Sequence, residues 1–269
     1  MTEPGELLEL AVRTARDAAR LVEAGAARGI EVADTKSSHT DVVTESDRSV
    51  ERLIRRSLID ARPDDTVLGE EGEGAQGEAG RSGVRWIVDP IDGTVNFLYG
   101  IRQYAVSIAA ELDGEVVAGV VLNVPTGQEY TATIDGPAEL DGSSIRVRAV
   151  VPLGERLIGT GFSYEAHQRQ IQAAALLHLL PRIRDIRRLG SAALDLCAVA
   201  QGSLDGYLEE GVNLWDHAAG GLVARAAGAR VESEPGVGGR PILIAAPEGG
   251  FEEFRSAIAE AGYLAAPRS

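Results

Sequence analysis

Residues 85–97 read RWIVDPIDGTVNF. An apolar run, Trp86-Ile87-Val88, ends on Asp89. Asp92 follows three residues later, with Gly93-Thr94 directly against it. A buried carboxylate without a partner is costly, and the usual remedies are a shifted pKa, a cationic neighbour or a metal ion. Other acids occupy comparable places. Glu70 and Glu71 close the run DTVLG, Asp216 follows NLW and opens HAAGGLVARAAG, and Asp47 lies in the first turn of a helical pattern. Each also fits a local explanation: Asp47 and Asp216 as helix caps, Glu70-Glu71 as a solvated loop end, Asp-Pro-x-Asp-Gly as a tight turn. What they share is a position at the ends of elements, where active sites of α/β proteins gather.

The candidate ligand set is all oxygen. Cys197 is the only cysteine, and His39, His167, His178 and His217 show no metal-ligand spacing. Carboxylates with a backbone carbonyl suit a hard cation, above all Mg²⁺. Several converging carboxylates suit two such ions about 3.5–4 Å apart, the clamp used for in-line phosphoryl displacement. Gly93-Thr94 adds a glycine turn leading into a short helix, which presents backbone N–H groups to an anion. Metal ions and an amide cradle together point to a phosphate ester. No covalent nucleophile competes, because the chain lacks a G-x-S-x-G elbow, a Walker A pattern and a Cys with a His partner. Activated water is then the economical nucleophile.

These acids need elements to hold them. Leu7, Leu8, Val12, Ala15, Ala19, Leu21 and Val22 recur at helical spacing, and TESDRSVERLIRRSLIDARP repeats the pattern up to Pro63. The Gly- and Glu-rich stretch from Gly69 reads as a loop. YAVSIAAEL, EVVAGVVLN, QEYTATI and IRVRAV read as strands joined by hairpins. RLIGTGF, DIRRLG, LDGYLE, ARVES and PILIAA read as further strands, alternating with helices over EAHQRQIQAAALLHLL, SAALDLCAVAQG and WDHAAGGLVARAAG. A last helix follows from about Phe251. The alternation predicts a mostly parallel second sheet. Two halves result, 1–150 and 151–269, in one compact unit without a linker.

Composition narrows the function. With 26 Lys and Arg against 41 Asp and Glu, the net charge is −15, which disfavours sequence-independent nucleic-acid binding. A single cysteine forms no intrachain disulfide, and Cys197 reads as a buried, inert residue on an apolar helix. No stretch has the length of a membrane span, and the N-terminal residues lack a signal-peptide pattern. The expectation is a soluble cytoplasmic protein.

Together, GEE at 69–71, WIVDPIDGTVNFLYG at 86–100 and WDHAAG at 215–220 resemble the motifs of the inositol monophosphatases. DTKSSHTDVVTESD at 34–47 and RRLGSAALDLCAVAQGSLDGYLEEGVNLWD at 187–216 are similar to the same family, in the same order and spacing, with SAALDLC and AVSIAA leaning towards its bacterial branch. The resemblance implies a layered α-β-α-β-α sandwich of the kind shared with fructose-1,6-bisphosphatase. It implies Mg²⁺-dependent hydrolysis of a phosphate monoester by a Li⁺-inhibited homodimer. Carried over residue by residue, Glu70, Asp89 and the Ile91 carbonyl would hold the first Mg²⁺. Asp89, Asp92 and Asp216 would hold the second. A third, weaker ion would use Glu70 and waters, with Lys36 on the loop beside it. Asp47 and Thr94 would orient and deprotonate the attacking water, the amides of Gly93 and Thr94 would hold the phosphate, and Gly190, Ser191, Ala192 and Glu209 would line the sugar side.

The favoured substrate is myo-inositol 1-phosphate, because Glu209 suits a polyol hydroxyl. Histidinol phosphate, fructose 1,6-bisphosphate and 3′-phosphoadenosine 5′-phosphate are the alternatives within the enzyme class. A second phosphate would want cations, and RIRDIRR at 182–188 is the one candidate, which also fits an exposed or dimer-facing strand. From another class, the resemblance admits a protein-interaction role with the transcription machinery. GTGFSYE departs from the family's commoner Gly-Phe-Pro-Tyr, and Ala226 stands where the family commonly has Glu. Both bear on substrate preference more than on reaction type.

Overall fold

The computed structural model describes residues 3–28, 32–35, 42–72 and 81–265. Lys36 and His39 and most of the Gly- and Glu-rich stretch after Gly72 lie outside the described residues.

The first part runs α1 (Pro4–Arg28), β1 (Val32–Thr35), β2 (Val42–Thr44), α2 (Glu45–Ala61), β3 (Thr66–Gly69), β4 (Val84–Asp92) and α3 (Thr94–Tyr99). It continues through β5 (Ala105–Leu112), β6 (Glu115–Asn123), β7 (Glu129–Thr133), β8 (Glu139–Leu140) and β9 (Ser143–Ser144). After them come β10 (Leu157–Thr160), α4 (Ala166–Leu179), β11 (Asp185–Arg187), α5 (Ala192–Ala200) and β12 (Gly206–Glu210). The chain then adds α6 (Leu214–Ala226), β13 (Ala229–Pro235), β14 (Pro241–Pro247) and α7 (Phe251–Glu260).

Two sheets organise the chain. The seven strands β3 to β9 lie side by side in sequence order; from β5 on, tight turns such as Asp113-Gly114 let a strand fold back beside its predecessor. Only β3 and β4 pair in parallel; the others are antiparallel. The second sheet has the order β11-β10-β12-β14-β13.

Its β10, β11 and β12 are parallel, but β14 runs antiparallel to both β12 and β13, so the sheet is mixed and not mostly parallel. The link between β13 and β14 is too short for a crossover helix and can only make a hairpin. IRVRAV also departs from its strand reading. Only Ser143–Ser144, just ahead of it, are paired. Ile145 N then donates to Ala138 O and Val147 N to Ala227 O, so the segment bonds to two different elements instead of one ladder.

Apolar faces set the stacking. Leu7, Ala11, Val22, Val50, Ile54 and Leu58 seal α1 and α2 onto one face of the seven-stranded sheet, against Trp86, Val106, Ile108 and Val120. On the opposite face, Ala193, Cys197, Ala219 and Val223 of α5 and α6 meet Ile87, Ala109 and Val121. The other sides of α5 and α6 bury Leu196, Val199 and Ala224 against Tyr207, Leu243 and Ala245 of the second sheet. Phe251, Phe254 and Leu179 cover that sheet's far face. The result is the five-layer α-β-α-β-α sandwich. Because α5 and α6 are shared by both sheets, they have little polar surface of their own, which is why they read as almost wholly apolar. No helix among the described residues is long and apolar enough to cross a membrane.

Candidate active site

β4 is the spine of the site. It does not stop at Asp89 but continues through Pro90 and Ile91 to Asp92. Asp89 pairs with Ser107 and Asp92 with Ala105, so three steps on β4 face two on β5, which makes a bulge. Pro90 has no N–H to give a ladder, and the bulge is where a strand tolerates it. The extra residue re-aims the chain: Asp89, Ile91 and Asp92 all line one pocket of about 240 Å³. Inside the bulge, Ile91 N donates to Asp89 Oδ1 at 3.0 Å.

Gly93 ends the strand and starts α3 with φ 96°, a conformation L side chains rarely adopt. A Cβ there would also come 3.0 Å from Gln103 O and 3.1 Å from Gly190 O. Thr94 follows at the first helical position. Its hydroxyl lies 3.1 Å from Asp47 Oδ1 and 3.0 Å from the Ile91 carbonyl oxygen. One hydroxyl proton can serve only one of these acceptors at a time. Asp47, third residue of α2, is buried behind Thr94 and does not itself line the pocket.

The second half of the chain supplies the facing wall. Asp92 Oδ2 accepts from Ser191 Oγ at 2.5 Å and from Ala193 N at 2.7 Å. Asn96 Nδ2 reaches across to Leu189 O and also to Gln103 O, both at 2.7 Å. These bonds stitch α3 to the start of α5. Ser191 therefore does not line the sugar side as expected. It is buried, caps α5 by accepting from Leu194 N, and spends its proton on Asp92. Gly190, Ala192 and Glu209 do line the pocket, together with Glu70, Gly93, Thr94 and Asp216. Asp216 sits at the third position of α6, where its Oδ2 accepts from Asn213 N at 2.5 Å in a capping box. The cap reading of Asp216 and its place in the pocket thus hold together.

Electrostatics mark the cluster. Burial pushes the Asp92 carboxyl up to about 6, against hydrogen bonds and the Arg188 charge that pull it down. Asp216 is raised well above the usual range by burial and by the neighbouring charges of Glu70 and Asp92. Burial also raises Glu209, opposed by Arg188. Among the described residues no three His, Cys, Asp or Glu side chains form a ready metal-holding cluster. The donor chemistry nonetheless fits a hard divalent cation. Seven carboxylate residues (Glu70, Asp89, Asp92, Glu165, Glu209, Glu210 and Asp216) and Ile91 line the pocket with no imidazole or thiol among them, and gathered carboxylates of this kind favour a cation among them.

Several residues escaped the sequence reading. Glu51, one turn after Asp47, accepts Glu71 N at 2.6 Å and pairs with Arg55, which fixes the chain beside Glu70. The helical spacing Asp47-Glu51-Arg55 was its only signal. Of the RIRDIRR arginines, Arg182 pairs with Glu260, Arg184 donates to Glu155 O and Arg187 pairs with Asp185, while Arg188 lines the pocket. His217, beside Asp216, is half-buried: burial and the Arg225 charge push it down to about 4, so its ring is neutral at pH 7. Cys197 is fully buried, as expected.

The chain matches the sequence model of the inositol monophosphatase family over residues 3–249. It is 44% identical to the inositol-1-monophosphatase of Mycobacterium bovis over 273 residues, covering 95% of this chain and 94% of that one. It is 36% identical to the Nus factor SuhB of Pasteurella multocida, covering 84% of each. Among solved structures, Mycobacterium tuberculosis SuhB superposes with a TM-score of 0.85 at 41% identity, covering 98% of this chain and 100% of that one. The extragenic suppressor protein suhB of Bartonella henselae gives 0.85 at 35%, covering 94% and 98%. A match across nearly the whole length, in sequence and in fold, establishes that this chain belongs to the inositol monophosphatase family.

Proposed function

We propose that this phosphatase hydrolyses the phosphate monoester of a polyol, with myo-inositol 1-phosphate as the favoured substrate and Mg²⁺ as the metal. The observation that carries the reading is the Thr94 hydroxyl within 3.1 Å of buried Asp47, at the edge of a pocket lined by Glu70, Asp89, Asp92 and Asp216. Glu70, Asp89 and the Ile91 carbonyl would hold one ion, and Asp89, Asp92 and Asp216 a second; Glu70 would serve a weaker third. Bound divalent ions supply Lewis-acid stabilisation of the charge on the phosphate and the leaving oxygen.

The chain's own residues handle protons and orientation. Thr94 Oγ1 passes its proton to Asp47 Oδ1 as it takes one from the attacking water, so Asp47 is the final acceptor. The amides of Gly93 and Thr94 face the phosphate. On the other side, Glu209 accepts a hydroxyl of the polyol, with Gly190 and Ala192 leaving room for the ring. Arg188 balances Asp92 and Glu209 and, with Arg240, gives the pocket cationic side chains for a more anionic ester.

The substrate test is phosphate release from myo-inositol 1-phosphate, histidinol phosphate, fructose 1,6-bisphosphate and 3′-phosphoadenosine 5′-phosphate, with Mg²⁺ and with and without Li⁺. Preference for the inositol ester with Li⁺ inhibition is expected. Preference for another ester overturns the substrate and keeps the reaction. The relative named a Nus factor supports a second reading, a partner in the transcription machinery. Retention of RNA polymerase by the immobilised protein, with no phosphate release from any ester, would favour it. The reading further includes a homodimer in the cytoplasm, which sedimentation and cell fractionation test.

A further inference from the structure

Strand β10 carries Gly159, and Gly161 follows directly after its last residue, Thr160. Alternate residues share a face of a sheet. In the parallel register of β10 and β12, Gly159 stands beside Tyr207 and Thr160 beside Leu208, and Gly161, one residue past the strand, lies against the Glu209 carboxylate. Each large polar side chain on this face of β12 thus has a glycine as its neighbour. A Cβ on Gly159 would meet Leu204 Cδ1 at 2.8 Å and Tyr207 Cδ2 at 3.3 Å, and a Cβ on Gly161 would fall directly on the Glu209 carboxylate. On the other flank, Tyr207 faces Ala245 and Glu209 faces Leu243 on β14.

Into this trough the Tyr207 ring is fully buried, and its hydroxyl donates to Glu209 Oε2 at 2.9 Å. The ring has few rotamers open to it, so the hydroxyl is a fixed point. Glu209 has three rotatable bonds and would otherwise wander over the pocket wall. The missing side chain at 161 gives its carboxylate a seat, and the Tyr207 hydroxyl holds one oxygen there. Glu209 itself lines the pocket.

We propose that Gly161 and the Tyr207 hydroxyl are positioning residues that determine substrate specificity, by holding the Glu209 carboxylate where it can accept a hydroxyl of a polyol ester. The inference rests on the polyol reading of Glu209 given above. It predicts that both residues act on the choice between esters and not on phosphate chemistry as such, which belongs to the opposite wall.

The test compares two esters on the Mg²⁺-loaded full-length protein: myo-inositol 1-phosphate, and p-nitrophenyl phosphate, which has no hydroxyl for Glu209. The readout is the ratio of their kcat/KM values. Tyr207→Phe keeps the ring and removes only the hydroxyl; Gly161→Ala pushes on the far end of a flexible side chain, so displacement of the carboxylate is its main effect. Each is expected to lower the ratio roughly tenfold, about the value of one hydrogen bond to a charged group, chiefly through KM for the inositol ester. Glu209→Gln should lower it at least as much. In the Glu209→Gln background, Tyr207→Phe should then add no more than about twofold, since coupled residues are not additive. An equally large further drop in that background overturns the inference, because the hydroxyl would be acting elsewhere. So does an unchanged ratio in both Tyr207→Phe and Gly161→Ala while Glu209→Gln lowers it, with the polyol reading left standing. An unchanged ratio in Glu209→Gln overturns the polyol reading itself, and this inference with it.

Discussion

Replacing Asp92 with Asn isolates the cost of gathering carboxylates for a metal. In the folded chain this carboxyl sits at about 6, against an ordinary 3.8, because it is buried. The folded-state pKa lies above the unfolded one, so the folded state holds the proton longer. Stability is then greatest below about pH 4 and is lost as pH rises towards and through 6. At about 1.4 kcal/mol per pKa unit, the cost of the ionised form is about 1.5 kcal/mol at pH 5 and about 3 kcal/mol at pH 7.5. Asn keeps an acceptor oxygen for Ser191 Oγ and Ala193 N but carries no charge. In EDTA at pH 7.5, Asp92→Asn is therefore expected to be more stable than wild type, by up to about 3 kcal/mol, or roughly 6–12 °C in Tm for a chain of this size. At pH 5 the gap should halve. Mg²⁺ should reverse the order, since a ligand that binds only the native state raises Tm and the variant lacks one of its carboxylates. Thermal melts at both pH values, in EDTA and in millimolar Mg²⁺, read all of this. Either an Asp92→Asn protein less stable than wild type in EDTA at both pH values, or equal Mg²⁺ shifts for the two proteins, would refute the reasoning.

Two further substitutions probe separate links. Thr94→Val preserves the shape of the first helical residue but removes the hydroxyl shared by Asp47 and Ile91; kcat should fall about 10²–10⁴-fold with KM little changed, and steady-state kinetics that leave kcat within a few-fold would break the proton path. Trp86 is fully buried and its Nε1 donates to Asp65 Oδ2 at 2.8 Å, an acid also held by Arg62 and Ser82. Trp86→Phe should cost about 2–4 kcal/mol through a cavity and a lost bond to a charged group, seen as a lower urea midpoint with phosphatase activity retained in the folded fraction.

Local chemistry made much of this protein legible from its residues. Helical spacing located α1 and α2, Pro63 marked where α2 stops, and turn dipeptides located the hairpins, because these depend on neighbours in the chain. Glu70, Asp89, Asp92 and Asp216 were legible for the same reason, since each closes or opens an element whose pattern is local, whereas Glu209 followed only from the family resemblance and Glu165 and Glu210 gave no local signal. The motif D-P-I-D-G-T also identified the family. Tertiary structure decided what depends on contacts distant in sequence. The bulge that swings Asp89, Ile91 and Asp92 into one pocket exists only against β5. Ser191 looked like a pocket residue until its hydroxyl found Asp92, 99 positions away. IRVRAV has the composition of a strand but lost its ladder to two competing partners. The direction of β14 was set by a hairpin too short to cross over. Gly159 and Gly161 carry no signal alone; they become meaningful only beside Tyr207 and Glu209, because the space a missing side chain leaves is defined by what another strand puts into it.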